Sequence, residues 1–405
     1  MTLLPTAPPR PMYGCGHLTE WLRQKGATTV ALVTDQTLTD TPILATVRAR
    51  IVAAGVQVRF FVLPDAGNLD SVLRLADRFA DCDLVVGVGG GSVIDQVKLA
   101  ATLCGNPKAR GRLTVAQRSG TIILPVTVER RTPLLAIPTT LGTGTELSAV
   151  ACLVYPEGKR IISGLCLRPD AAVLDPLATE TLPVELVAEG TLEALFRTVS
   201  PYIGDHADLP EQDALVEAVA AELVRLGDEV NRLRRRGEPI SPQIRLRIAE
   251  LSGRSQLGDL HAGRKPYAVK GWAIANELSW ELSLRKMPAI AALLPPLWRR
   301  IADGDHRIGS APRLVRIWQR LAENSPGLPD DPAEGIAALI ERWQIDHRIT
   351  ADPAQLDTVA ARAVHAWGAG LPVLGGLTQA EIRQLLADAV ADRALAPGTP
   401  QTSVA

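Results

Sequence analysis

The sequence predicts an α/β half built on a parallel, doubly wound sheet, followed by an all-α half. Two observations carry this. Short apolar, β-branched runs alternate with helical periodicity through the first part of the chain, and that alternation is the signature of strands joined by crossover helices. After Leu182 the strand signals stop, while helical spacing continues nearly to the end. The domains expected are therefore 1–182 and 183–405, with Pro183 at the boundary.

Composition narrows the class. The chain has 405 residues, enough for two substantial cores, with 46% hydrophobic residues and a formal net charge of -1. That balance gives no electrostatic reason to expect nucleic acid or a membrane surface as partner. No apolar run approaches the ~18 residues of a membrane span, and the first residues do not read as a secretory signal. Cys15, Cys82, Cys104, Cys152 and Cys166 are scattered without Cys-x-x-Cys spacing, which reads as reduced, mostly buried thiols. A cytoplasmic protein is expected.

In order along the chain, Leu18 to Lys25 reads as a helix and Thr28 to Thr34 as a buried strand ending at Asp35. Pro42 to Ala54 reads as a helix and Val56 to Val62 as the next strand. Asn68 is an N-cap for a helix whose apolar face is Val72, Leu73, Leu75, Ala76 and Phe79. Residues 84–88 form a strand that breaks into Gly89, Gly90 and Gly91, then resumes with helical spacing at Val93 and Val97. Strand, glycine turn and helix start make a phosphate-holding geometry: glycine lets the backbone approach an anion, and the helix start offers free N–H groups. A hairpin is expected at Gly120 to Leu124 with Val126 to Val128. Leu134 to Ile137 is then a strand that runs into the loop Pro138-Thr139-Thr140-Leu141-Gly142-Thr143-Gly144-Thr145-Glu146, rich in hydroxyls and open backbone. Ala171 to Leu174 is a last short strand before Asp175 and Pro176. In the second half, helices are expected at 210–226, 242–257, 269–284, 311–321, 331–343, 353–367 and 378–394, with a loose tail from Ala396. Arg232 to Arg236 is a basic run, read either as a solvated helix end or as a contact for an anionic or peptide partner.

Several of these stretches together resemble the iron-containing alcohol dehydrogenase and dehydroquinate synthase superfamily. They are Val33-Thr34-Asp35, the run from Gly89 to Asp95 with Lys98, the loop from Pro138 to Glu146, the run from Arg168 to Pro176, Leu182-Pro183, and Ala291 to Pro295. The resemblance implies a Rossmann-like N-terminal domain, a helical C-terminal domain and an active site in the cleft between. It implies NAD as cofactor, with Gly89, Gly90, Gly91 and Ser92 at the pyrophosphate and Thr139, Thr140, Thr143 and Gly144 at the nicotinamide and phosphate region. Asp35 would pair with the ribose hydroxyls. A carboxylate there repels a 2′-phosphate, which favours NAD over NADP. Asp95 is expected to bond backbone near the loop.

The family's metal ligands, one Asp and several His, do not carry over. Their positions correspond here to Glu193, Arg197, Trp272 and Lys286, with Asn276 in place of a further His. Neither a guanidinium nor an ammonium ligates a divalent ion, and an indole offers no lone pair. No metal is therefore expected. Arg197 and Lys286 become the candidates to hold a carboxylate or alkoxide, with Glu193 offsetting their charge. Lys286 is the candidate base, and His261 and Tyr267 are weaker candidates for proton transfer.

The function expected is metal-independent, NAD-dependent oxidation of a secondary alcohol on a small molecule or peptide that carries a carboxylate. Oxidation of a β-hydroxy acid gives a β-keto acid, which loses carbon dioxide readily. The missing histidines are similar to those of metal-less relatives in ribosomal natural-product pathways of the daptide type, in which a peptide C-terminal threonine is oxidised and decarboxylated. The alternatives are a dehydroquinate-synthase-like lyase that keeps NAD bound, and a non-catalytic scaffold subunit. A homodimer is expected.

Overall fold

The computed structural model describes residues 11–265, 267–368 and 371–392. The strands are β1 (Met12–Tyr13), β2 (Thr29–Asp35), β3 (Gln57–Leu63), β4 (Leu84–Gly89), β5 (Thr121–Ile123), β6 (Leu134–Pro138), β7 (Val150–Tyr155), β8 (Gly158–Ser163), β9 (Ala171–Leu174), β10 (Thr350–Ala351) and β11 (Ala391–Asp392). The helices are α1 (Leu18–Lys25), α2 (Pro42–Ala53), α3 (Leu69–Arg78), α4 (Gly91–Leu103), α5 (Pro107–Thr114), α6 (Val184–Gly204), α7 (Pro210–Arg236), α8 (Pro242–Arg254), α9 (Gly271–Glu281), α10 (Lys286–Ala302), α11 (Ala311–Glu323), α12 (Pro332–Arg342), α13 (Pro353–Ala363) and α14 (Gln379–Ala389).

Two compact units result: 1–199 with 208–263, and 200–207 with 264–405. Residue 183 marks where the strands of the large sheet end. The first part of α6, together with α7 and α8, belongs to the unit that holds the sheet.

In the first unit a six-stranded parallel sheet runs in the order β1-β9-β6-β4-β2-β3. Its central strands are buried on both faces, as their unbroken apolar runs require. One face packs a core of Val30, Leu32, Ile43, Val47, Val86 and Ile137, and the other packs Val33, Phe61, Val72, Val85, Val97 and Leu134. Asn68 caps α3 in a reciprocal capping box with Ser71.

The expected hairpin at 120–128 is corrected. Thr121–Ile123 pairs in parallel with β8, and Val126–Val128 forms no strand, because Pro125 opens a turn in which Val128 N–H donates to Pro125 O at 2.9 Å. The true hairpin is β7–β8, closed by Pro156 and Glu157 between the paired residues Tyr155 and Gly158. It is tied to α4 by Lys98. That fully buried ammonium donates to Thr145 O at 3.1 Å, to Thr145 Oγ1 at 3.0 Å and to Val150 O, with the Asp95 carboxylate 3.7 Å away.

The second unit is organised around α10, which packs against α9, α11, α12 and α14. α10 continues through Pro295 and Pro296, so two backbone donors are missing inside it. Trp298 on α10 and Trp318 on α11 meet edge to face at 6.0 Å. Gly335 on α12 lies against the Trp318 indole, where a Cβ would collide with the ring. Gly335→Ala should therefore destabilise the protein by at least about 2 kcal/mol despite its better helix propensity. A lowered urea midpoint would show this, and an unchanged midpoint would mean that α11 and α12 separate freely.

Candidate functional site

From β2 the chain crosses to β3 on one side, then returns to β4 on the other side of β2. This reversal makes a topological switch point, and in open parallel sheets ligands bind outside the carboxyl ends of the strands at such a point. Asp35 ends β2, Gly89 ends β4 and Pro138 ends β6, on three adjacent strands. The structure therefore brings Asp35, the glycine turn and the threonine loop to one edge.

The glycine turn is tight for a physical reason. A Cβ at Gly89 would lie 2.6 Å from Val93 Cβ, one at Gly90 3.1 Å from Thr140 Cγ2, and one at Gly91 3.0 Å from Thr143 Cγ2. Gly90 is the N-cap of α4 and no side chain caps it, so the first N–H groups of the helix have no side-chain acceptor there. Ser92 lies in this first turn. This is a cradle suited to a pyrophosphate. Thr139 N–H donates to Gly89 O at 3.0 Å and locks the two loops together. Asp35 Oδ1 accepts from Thr37 N–H at 2.8 Å and from Thr37 Oγ1 at 2.5 Å, which fixes a half-buried carboxylate at the strand end.

The threonine loop is held from behind. Gly142 N–H donates to Ser252 Oγ at 3.0 Å, and Gln256 Nε2 donates to Thr143 O at 2.8 Å. Gly142 also packs on α6, where a Cβ would lie 2.9 Å from Glu193 Cβ. Glu193 and Arg197 are thereby placed next to the loop, and they form an ion pair of 2.7 Å one helical turn apart. Glu193 is buried and Arg197 is partly exposed.

The other positions of the expected cation site lie in the second unit. Lys286 Nζ sits 4.8 Å from the centre of the Trp272 ring, a cation–π contact that joins the start of α10 to α9. Asn276 is buried on α9. The donor set at these positions does not fit a divalent ion. In the first unit Arg197 is paired with Glu193, and in the second the corresponding positions are an indole and an ammonium in contact with each other. Among the described residues, no group of three or more His, Cys, Asp or Glu side chains is placed to hold a metal.

His261 is half-buried in the turn after α8, and Tyr267, in the second unit, has a left-handed backbone (φ 64°) and is 36% exposed. The basic run at Arg232–Arg236 is the last turn of α7, where Arg232 pairs with Glu229, Arg234 with Glu185 and Arg236 with Glu238. The residues from Ala396 lie outside the described ones.

Sequence reasoning quoted Glu146 as the last residue of the threonine loop and gave it no role. The structure makes it the most perturbed carboxyl of this region. It is 2% exposed, and burial raises its pKa to about 7, against the pull of the Lys98 and Arg197 charges. The signal was present in the sequence as a lone acid among threonines, but its burial was not. For a carboxyl whose folded pKa exceeds its unfolded value, the stabilising contribution is full below about pH 4.5 and is lost as pH rises through about 7. Glu146→Gln should therefore match the wild type near pH 5 and exceed it near pH 8 by about 3 kcal/mol, read from urea unfolding at the two pH values. Equal gains at both would show that the carboxyl is not perturbed.

Comparison with known proteins agrees with this geometry. Residues 8–176 match the sequence profile of the iron-containing alcohol dehydrogenases. A probable alcohol dehydrogenase, EutG of Escherichia coli, is 36% identical over 127 residues, which span 31% of this chain and only 30% of that protein. Long-chain-alcohol dehydrogenase 1 of Geobacillus thermodenitrificans is 28% identical over 80% of this chain and 78% of its own. Mitochondrial hydroxyacid-oxoacid transhydrogenase of Mus musculus is 31% identical over 47% of this chain and 42% of its own. Among solved structures, NADH-dependent butanol dehydrogenase A of Thermotoga maritima superposes with a TM-score of 0.80 at 16% identity, covering 96% of this chain and 99% of that one. Sulfoacetaldehyde reductase of Bifidobacterium kashiwanohense, solved with NAD+, superposes with a TM-score of 0.74 at 19% identity, covering 96% and 99%. The sequence match to the iron-containing alcohol dehydrogenase profile thus covers residues 8–176, and nearly the whole chain shares the fold of these solved structures.

Proposed function

We propose that the protein is an NAD-dependent alcohol dehydrogenase that works without a bound metal, on a secondary alcohol that also carries a carboxylate. The observation that carries this reading is the Glu193–Arg197 ion pair beside the threonine loop, at positions that the resemblance assigns to metal ligands. A guanidinium stays charged at any working pH, so it offers the substrate oxygen a fixed positive charge in place of an ion.

The cofactor assignment rests on the glycine cradle, the uncapped start of α4 and Asp35 at the switch point. Gly89, Gly90, Gly91 and Ser92 would hold the pyrophosphate, and Thr139, Thr140, Thr143 and Gly144 would line the nicotinamide side. NAD supplies the hydride acceptor. The protein's part is to orient the substrate carbon, stabilise the oxygen as it loses its proton, and take that proton. Arg197 performs the second task. Lys286, whose Nζ rests on the Trp272 ring, is the candidate for the third. His261 and Tyr267 are the other candidates for it.

Relatives named for a hydroxyacid-oxoacid pair and for sulfoacetaldehyde act on anionic substrates, which supports an anionic one here. For a β-hydroxy acid, the alcohol carbon gives up hydride and the hydroxyl gives up its proton. The bond from the α-carbon to the carboxylate can then break, its electron pair passing into an enolate as carbon dioxide leaves. A peptide ending in threonine belongs to this class.

The test is a pair of measurements. Fluorescence titration should show NADH binding, tighter than that of NADPH. Arg197→Met and Lys286→Met should each lower turnover by a hundredfold or more and leave NADH affinity within about threefold. No NADH binding by the wild type would overturn the reading, and unchanged turnover would remove the substituted residue from it.

A further inference from the structure

Four of the eight large hydrophobic side chains that stand exposed among the described residues lie beside β5. They are Val115, Ile123, Val126 and Leu165, between 53% and 72% exposed. Exposed apolar side chains scattered singly need no explanation, but these are drawn together. Ile123 pairs in register with Ser163, and Leu165 follows two residues on. Leu124 N–H donates to Ser163 O at 2.8 Å, so the turn that carries Val126 leaves from the same place. Arg112 Nε donates to Ile123 O at 3.4 Å, which brings the end of α5, and Val115 after it, to this edge. The surroundings are basic. Residues 107–131 hold six Lys or Arg and one acid, in a chain whose net charge is -1. Lys108, Arg112 and Arg118 are exposed, and among the described residues none of them is in an ion pair.

β5 is an edge strand, paired only with β8 among the described residues. Gly120 O accepts from Ile161 N–H and Leu124 N–H donates to Ser163 O, both at 2.8 Å. Residues 120, 122 and 124 therefore turn their backbone toward β8, and Thr121 and Ile123 turn theirs outward. Two of the outward groups are met by side chains. Thr121 N–H donates to Ser119 Oγ at 3.1 Å, and Ile123 O accepts from Arg112. Thr121 O and Ile123 N–H have no partner among the described residues. Two residues apart on one edge, they are the pair that a single residue of a parallel strand meets with its own N–H and C=O. We propose that this edge docks an extended peptide of a partner protein, bearing acidic and aliphatic side chains, as a parallel strand beside β5. Charge alone would merely blunt an edge against pairing, but four exposed aliphatic side chains beside it would not. The cations select the acidic groups, the aliphatic patch takes the apolar ones, and the open backbone pair fixes the register. A lipid surface would use the charge and the apolar groups but not the backbone pair. The docking makes no use of the glycine cradle or of Arg197, so it stands apart from the dehydrogenase reading.

The probe is a fluorescein-labelled octapeptide of alternating Glu and Val, titrated with the full-length protein and read by fluorescence anisotropy. Binding should saturate and should weaken as salt is raised. Peptides of alternating Lys and Val, or of alternating Glu and Ser, should bind at least about tenfold more weakly. The double variant Lys108→Glu with Arg118→Glu should weaken binding of the Glu–Val peptide by about tenfold or more. Ile123→Pro removes the outward N–H and no bond to β8, and it should also cost about tenfold. Leu165→Ser, a surface change that leaves the strand backbone alone, should cost about threefold and serves where thermal melts show Ile123→Pro to be misfolded. No saturable binding of the Glu–Val peptide overturns the proposal, as does equal binding of the Lys–Val peptide. Wild-type affinity in the charge-reversed protein, or in whichever of Ile123→Pro and Leu165→Ser is folded, overturns it too. So does capture of the protein by phosphatidylserine vesicles when the peptide is ignored.

Discussion

Gly142 and Gly144 hold left-handed backbone, with φ of 92° and 59°, and neither has room for a Cβ. At Gly144 such an atom would lie 2.5 Å from Ser252 O, and at Gly142 it would press into the backbone of Gly190. The seating of the 138–146 loop against α6 and α8 depends on these close approaches. From that seating the rest of the site follows. Thr140 and Thr143 close over Gly90 and Gly91, Thr145 meets Lys98 and Asp95, Glu146 is driven into the interior, and Glu193 is held beside the loop. A single loop thus joins the phosphate cradle to the charged cluster.

On the proposed reading, the Glu193–Arg197 pair takes the place that the resemblance gives to an ion. A divalent cation brings two positive charges and fixes its ligands. A guanidinium brings one, and it costs desolvation unless a carboxylate stands near. Glu193 supplies that carboxylate at 2.7 Å, one helical turn away. The same pairing would weaken the field that Arg197 offers an anion.

Much of this was legible in the sequence. The buried strands, the glycine turn and the Asn68 cap are local, because each depends on apolar runs, glycine placement or one capping residue, and the structure has them where the pattern put them. What escaped has physical causes. α10 was not read as a helix because Pro295 and Pro296 sit inside it, and proline ordinarily ends a helix. The β7–β8 hairpin has the alternating burial of a half-covered strand, yet its pairing with β5 is long-range and no periodicity reports it. Arg197 and Lys286 were named through the family resemblance, and the structure shows their local partners, Glu193 and the Trp272 ring. The depth of Glu146 could not be read, because burial of an acid depends on what α8 leaves open at Gly253.

On the proposed reading the protein works without a bound metal, and the most direct measurement is elemental analysis coupled to turnover. The protein, purified without added metal and dialysed against EDTA, should contain no stoichiometric iron or zinc and should oxidise its alcohol substrate with NAD at an undiminished rate. Stoichiometric iron or zinc, with activity lost to the chelator and restored by the ion, would contradict it.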